Sequence, residues 1–193
     1  MINDGEKWRS TLDLVKIIFP EAVIAGGCLR DYTLNSKEYN DVDIFVKMGP
    51  SYSDNCPETV PSLVKRLERI MGLEIKPVTG DDHICYQQGT KRLIRAYEFE
   101  YFGIIYQLIF LNHSDVNLIS EFDLSINQIS WDGNLSYVFD VTKEFLETLK
   151  TKIVKITRDH PSIYKRLDKF ITRYPEFTHP YNIEGPKTDD LKL

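Results

Sequence analysis

A chain of 193 residues, 42% of them apolar, can bury one substantial core but not several, so a single domain is expected. Its formal net charge of −5 excludes a globally basic surface of the kind that coats nucleic acid, and any basic surface must be local. Cys28, Cys56 and Cys85 form no CxxC pair, which argues against a disulfide framework and against zinc and suits a reducing compartment. No stretch approaches the roughly 20 apolar residues that span a bilayer. The N-terminus MINDGEKWRS carries no signal-peptide pattern, so a cytoplasmic protein with no membrane partner is expected.

In chain order, the apolar spacing of Trp8, Leu12, Val15 and Ile18 or Phe19 predicts an amphipathic helix over 7–19, ended by Pro20. A short buried strand over 22–25 runs into Gly26-Gly27, a helix over 28–34 follows, and after a loop over 35–40 a second strand occupies 41–46. The paired glycines remove side chains where the backbone turns, so that the chain can approach a ligand closely, and N–H groups opening the next helix favour an anion. The run DVDIFV alternates with period two, which puts Asp41, Asp43 and Phe45 on one face and Val42, Ile44 and Val46 on the other. Two carboxylates that close disfavour each other unless a cation lies between them. Hard oxygen donors of this kind suit Mg²⁺ or Mn²⁺, which take one or two protein carboxylates and fill the remaining positions with water and phosphate.

Beyond a loop rich in Gly, Ser, Pro and Asp, residues 58–72 predict a helix with Leu63, Leu67 and Ile70 on its inner face and Gly72 as its stop. Strands are expected over 84–87, 93–102 and 104–112, with a tight turn at Gly103 between the last two. The run IIYQLIFL reads as a central strand whose one polar interior residue is Gln107. Asp132-Gly133-Asn134 marks a turn that favours a hairpin, residues 143–150 a short helix and 152–156 a short basic strand. A helix from Pro161 turns Ile163, Leu167, Phe170 and Ile171 inward and carries Lys165, Arg166, Lys169 and Arg173. Residues 175–193 read as a separate, loose tail after a domain over 1–174.

Three short motifs resemble one family. AGGCLRDYTL…NDVDIFV is similar to the GGxVRDxLL…DxDxxx signature of the polymerase β-like nucleotidyltransferases, specifically the head domain of the tRNA CCA-adding enzymes and poly(A) polymerases. DLSINQISWDG resembles that head's RRDFTINAMAxD, with Asp123 and Asn127 on its D and N. RDHPSIYKRLDKF resembles EDPLRxxRxxRF, with Arg166 and Lys169 on its second and third arginines. Small stand-alone chains of this kind are similar to nucleotidyltransferase-like proteins of bacteriophages and bacterial toxin systems.

The resemblance implies an α+β fold with a twisted mixed sheet of about five strands flanked by helices. It also implies a metal-dependent transfer of a nucleoside monophosphate from an NTP to a hydroxyl, with release of pyrophosphate. In that scheme Asp41 and Asp43 hold two Mg²⁺ (or Mn²⁺) ions, and Gly26, Gly27 and Arg30 meet the triphosphate. Asp31, Asp123 and Asn127 orient the helix and the sugar, and Arg166 and Lys169 extend a positive wall. The implied acceptors are an RNA 3′ end such as tRNA, or a protein or small-molecule hydroxyl. The sequence departs from the family at four places. Gln107 stands where a third carboxylate is implied, with Glu98 and Glu100 as other donors. Glu121-Phe122 replaces two arginines, and His160 and Ile163 replace the aspartate and arginine that read the incoming base. These departures keep open a protein that binds a nucleotide or a partner without turnover.

Overall fold

The computed structural model describes residues 3–36, 39–48, 59–79, 93–112 and 117–180. Helix α1 (Asp4–Lys16) opens with a reciprocal cap. The Asn3 side chain accepts from the Glu6 N–H at 2.9 Å and the Glu6 carboxylate accepts from the Asn3 N–H at 3.1 Å. The helix therefore starts before its apolar spacing does, and it buries Trp8, Leu12 and Val15. β1 (Val23–Ala25) feeds α2 (Gly27–Thr33), and β2 (Val42–Met48) follows. After α3 (Thr59–Met71) come β3 (Lys76–Pro77), β4 (Leu93–Tyr101) and β5 (Ile104–Asn112). The chain then makes two 3-10 turns, Leu118–Glu121 and Ser125–Asn127, before β6 (Ile129–Trp131), β7 (Asp140–Val141), α4 (Lys143–Thr151) and α5 (Ile163–Arg173).

The strands form one mixed sheet in the order β3-β4-β5-β2-β1-β6-β7, with β2 and β5 parallel and the other neighbours antiparallel. Seven strands stand where about five were expected, because β3 and β7 are two residues long and too short to show a period. The basic segment over 152–156 is not a strand but makes isolated bridges, Ile153 to Thr178 and Leu124 to Ile156. The strand expected over 84–87 lies outside the described residues. The β4–β5 turn is tight, with φ of 54° at Phe102 and 72° at Gly103, the left-handed pair that two-residue hairpins need. The β6–β7 hairpin is wider than a tight turn. Its loop is held by Asp132, which accepts from the Asn134 N–H, and by Asn134, whose amide donates to the Val138 carbonyl.

The alternation of β2 divides the core as its sequence predicts. Val42, Ile44 and Val46 pack into the main core with Trp8, Leu12, Leu67 and Phe110. Phe45 packs on the opposite face with Ala25, Ile109, Leu118 and Ile119. Helix α3 is rotated from the expected face and buries Val60, Val64 and Leu67, leaving Ile70 exposed. In α5 the inward residues are Ile163, Leu167 and Phe170, and the helix begins at Ile163 with Ser162 preceding it. The packed body continues past Tyr174, since Phe177 is fully buried and Thr178 exchanges backbone hydrogen bonds with Lys152 and Val154.

Two buried groups set a pH limit on this core. Burial first, then the neighbouring Asp43 carboxylate, pushes the Cys28 thiol far above its ordinary 9.0. Burial pushes the Tyr106 hydroxyl from 10.0 up to about 12. The folded state keeps both protons after the unfolded chain has released them, so stability falls as pH rises through that window. Urea unfolding should show a loss of about 1.4 kcal/mol per group for each pH unit between the two values. Cys28→Ala should flatten the slope.

Candidate active site

The turn from β1 into α2 builds one wall of a cleft. Gly26 has φ 86° and ψ −134°, a conformation that a side chain would strain, and its N–H donates to the Ile129 carbonyl at 3.0 Å. Gly27 opens α2 with ordinary φ, and a Cβ there would meet only the Arg30 guanidinium at 3.7 Å. Gly26 is thus required by the backbone, while Gly27 keeps the cleft floor low.

The cleft has a volume of about 490 Å³. Gly27, Arg30, Asp31, Asp41, Asp43, Asn127, Arg166 and Lys169 all line it, so eight of the ten residues singled out in the sequence meet at one place. Gly26 supports the turn from behind, and Asp123 lies beneath the wall, 4% exposed. Tyr39, Ser162, Lys165, Phe170 and Arg173 also line the cleft. Lys165 and Arg173 were legible from helical spacing, because they share a face with Arg166 and Lys169. Tyr39 carries no local signal of this role.

Asp41 and Asp43 stand half-buried at the start of β2. In the parallel register Asp43 lies opposite Gln107, and Gln107 lies opposite Glu98 on β4. The Gln107 amide donates to the Glu98 carboxylate at 3.5 Å. Gln107 is therefore the side chain adjoining the carboxylate pair, and Glu98 is one strand further out and exposed. Glu100 lies opposite Ile105, and neither glutamate lines the cleft. Among the described residues no group of three or more His, Cys, Asp and Glu side chains is placed to hold a metal ion. Two carboxylates beside an amide fit a hard divalent ion that completes its shell with water and phosphate, and not a fully protein-caged one.

The facing wall is α5. Ser162, Lys165, Arg166, Lys169, Phe170 and Arg173 follow one helical stripe, so the cationic side chains of this wall line the same cleft as the two aspartates. Two buried aspartates fix that wall. Asp31, 2% exposed, accepts from Arg30 Nε at 2.6 Å, Arg173 Nη1 at 3.1 Å and the Tyr174 hydroxyl at 3.0 Å. Asp123 accepts from the Arg166 guanidinium and from His160 Nε2 at 2.9 Å. Arg30 also donates to Asn127 Oδ1 at 2.9 Å and lies over the Phe170 ring, 5.1 Å from its centroid. Neither of the two residues at the positions that the resemblance assigns to base reading lines the cleft. Ile163 is fully buried, and the His160 side chain is 5% exposed and bound to Asp123.

Neither a protein-family model nor a curated protein sequence matches the chain. Solved structures do. A tRNA-processing enzyme in an apo form matches with TM-score 0.60 and 20% identity over 95% of this chain and 46% of its own. The Thermotoga maritima CCA-adding enzyme complexed with tRNA gives 0.59 and 17% over 94% of this chain and 41% of its own. A CCA-adding enzyme in complex with ATP gives 0.56 and 16%, over 91% of this chain and 41% of its own. The chain spans less than half the length of these enzymes. At these identities the likeness is one of fold: the chain shares the α+β fold of these tRNA-processing and CCA-adding enzymes, the fold that the motifs imply.

The Asp31 cluster makes a stability prediction. Asp31→Ala leaves two guanidiniums facing a buried, uncompensated site and should cost about 3–5 kcal/mol, read from urea unfolding. A loss below about 1 kcal/mol, the scale of a surface pair, would show that Asp31 does not anchor α5.

Proposed function

We propose that this protein is a metal-dependent nucleotidyltransferase, which moves a nucleoside monophosphate from an NTP to a hydroxyl acceptor and releases pyrophosphate. The observation that carries the reading is that the Asp41–Asp43 pair, the cationic stripe of α5 and Gly27 line one cleft. Asp41 and Asp43 are the residues that would hold Mg²⁺ or Mn²⁺, which when bound activates the attacking oxygen and offsets the charge of the leaving pyrophosphate.

The chain's own groups do the rest. The Gly26-Gly27 turn lets backbone approach the phosphates, and Lys165, Arg166 and Lys169 offer cations to the triphosphate. Arg30 adds its charge to the same phosphates while two of its donors fix Asp31 and Asn127. Asn127, so held, is placed to meet the sugar. Selection among NTPs does not run through His160 and Ile163, since neither side chain presents a polar edge to the cleft.

An RNA 3′ end is the acceptor best supported, because the solved structures of this fold include tRNA-processing enzymes and one complexed with tRNA. Despite the net charge of −5, the α5 stripe concentrates positive charge where a short RNA end would enter. Protein and small-molecule hydroxyls are the competing acceptors.

The test is pyrophosphate release and label transfer from each α-labelled NTP with Mg²⁺ or Mn²⁺ and total RNA. Asp41→Ala and Asp43→Ala should each lower turnover by about a thousandfold, the scale of losing a principal electrostatic stabiliser, with circular dichroism unchanged. Unchanged transfer by both variants would remove the reading. Nucleotide binding without release would favour a binder that has lost turnover, the outcome that Gln107 beside Asp43 would explain. A related variant probes that position: Gln107→Glu should lower the Mg²⁺ concentration for half-maximal activity, since it adds a carboxylate opposite Asp43.

A further inference from the structure

Resting on that reading of the cleft, we propose that Ser162 is itself a nucleotide acceptor, so that the protein nucleotidylates its own α5 wall. Ser162 occupies the N-cap position of α5, where a serine hydroxyl ordinarily accepts from an N–H of the first turn, yet its side chain caps nothing. The hydroxyl is turned instead to His160 Nδ1, at 3.1 Å. The other ring nitrogen, Nε2, meets Asp123 Oδ2 at 2.9 Å.

The direction of these bonds follows from their partners. Asp123 Oδ2 also takes a hydrogen bond from the Arg166 guanidinium, so it serves as an acceptor. In the neutral ring Nε2 then carries the proton and donates it, which leaves Nδ1 as the nitrogen that accepts from the Ser162 hydroxyl. This is the order of a hydroxyl nucleophile, a base and a group that orients the base. The base and the orienting carboxylate are buried, 5% and 4% exposed at their side chains, while Ser162 is half-exposed and opens onto the cleft. Lys165 and Arg166 follow one turn later on the same face, beside any phosphate that Ser162 would receive.

In the step that this geometry serves, the Ser162 oxygen attacks the α-phosphorus of an NTP held in the cleft. The Oγ–P bond forms, the bond from that phosphorus to the bridging β-phosphate oxygen breaks, and pyrophosphate leaves. The hydroxyl proton passes to His160 Nδ1, and the imidazolium so formed is held by Asp123. The product is a phosphodiester between the serine and a nucleoside, on the wall of the cleft that made it.

The experiment is incubation of the full chain with each α-labelled NTP and Mg²⁺ or Mn²⁺ in the absence of RNA, followed by intact mass and peptide mapping. The expected result is one nucleoside monophosphate per chain on the peptide containing Ser162, absent in Ser162→Ala and in Asp43→Ala. His160→Ala should slow labelling by about a hundredfold, the lower range for loss of a general base. Label on another residue, or label that persists in Ser162→Ala, overturns the assignment. An unlabelled protein that nonetheless releases pyrophosphate with RNA overturns self-modification and leaves the transferase reading standing. Absence of both label and pyrophosphate overturns the two together.

Discussion

The geometry of the cleft depends on two buried carboxylates that reach across the chain to the same helix. Asp31 on α2 accepts from Arg173 and Tyr174 at the C-terminal end of α5, and Asp123 accepts from Arg166 and His160 at its N-terminal end. A buried carboxylate without partners is expensive, so each aspartate demands its cations, and each cation is supplied by the helix or by Arg30. The helix is thus held at both ends by charge and along its inner face by Ile163, Leu167 and Phe170. Apolar burial alone would allow α5 to slide or roll; two separated ionic anchors fix its register against the sheet.

That constraint places positive charge opposite negative charge at a defined distance from the sheet. Lys165 and Lys169 project from the stripe whose Arg166 and Arg173 are tied inward, so the anchored arginines set where the lysines stand. Between them and the Asp41–Asp43 pair lies a low-walled cavity in which fields are less screened than at an open surface. A polyanion with bound divalent cations complements both walls together, whereas either wall alone would repel half of such a ligand. The overall charge of −5 is consistent with this, because the positive potential is confined to one helix face.

The division of labour between local pattern and long-range contact explains what could be read from residues alone. The alternation in DVDIFV is a property of six consecutive residues, and it correctly divided Val42, Ile44 and Val46 from Phe45. The glycine turn and the inward face of α5 were legible for the same reason. Helix α3 was misassigned by a rotation because Leu63, Leu67 and Ile70 fit a 3.6-residue period about as well as Val60, Val64 and Leu67, and only the packed partner decides between them. Two-residue strands such as β3 and β7 exist through their neighbours and leave no period to find. Asp31 was read as a residue that orients its helix. Its partners Arg173 and Tyr174 lie 142 and 143 positions away, a pairing no local spacing encodes.

The register of the parallel pair β2–β5 carries the remaining argument. Because Asp43 lies opposite Gln107 and Gln107 opposite Glu98, a single row of side chains crosses three strands with the amide between two carboxylates. An amide in that position separates like charges that would otherwise sit on adjacent strands, and it donates to Glu98 at 3.5 Å. The end of the cleft beside β2 then presents two carboxylates, Asp41 and Asp43, where a third adjoining carboxylate would make three. Such a site binds a divalent ion more weakly on its own and depends more on the charge that the substrate brings with it. Under the proposed nucleotidyl transfer the triphosphate would supply that charge, and metal and nucleotide would enter as one complex, steered by the cationic face of α5 that the two buried aspartates hold in place.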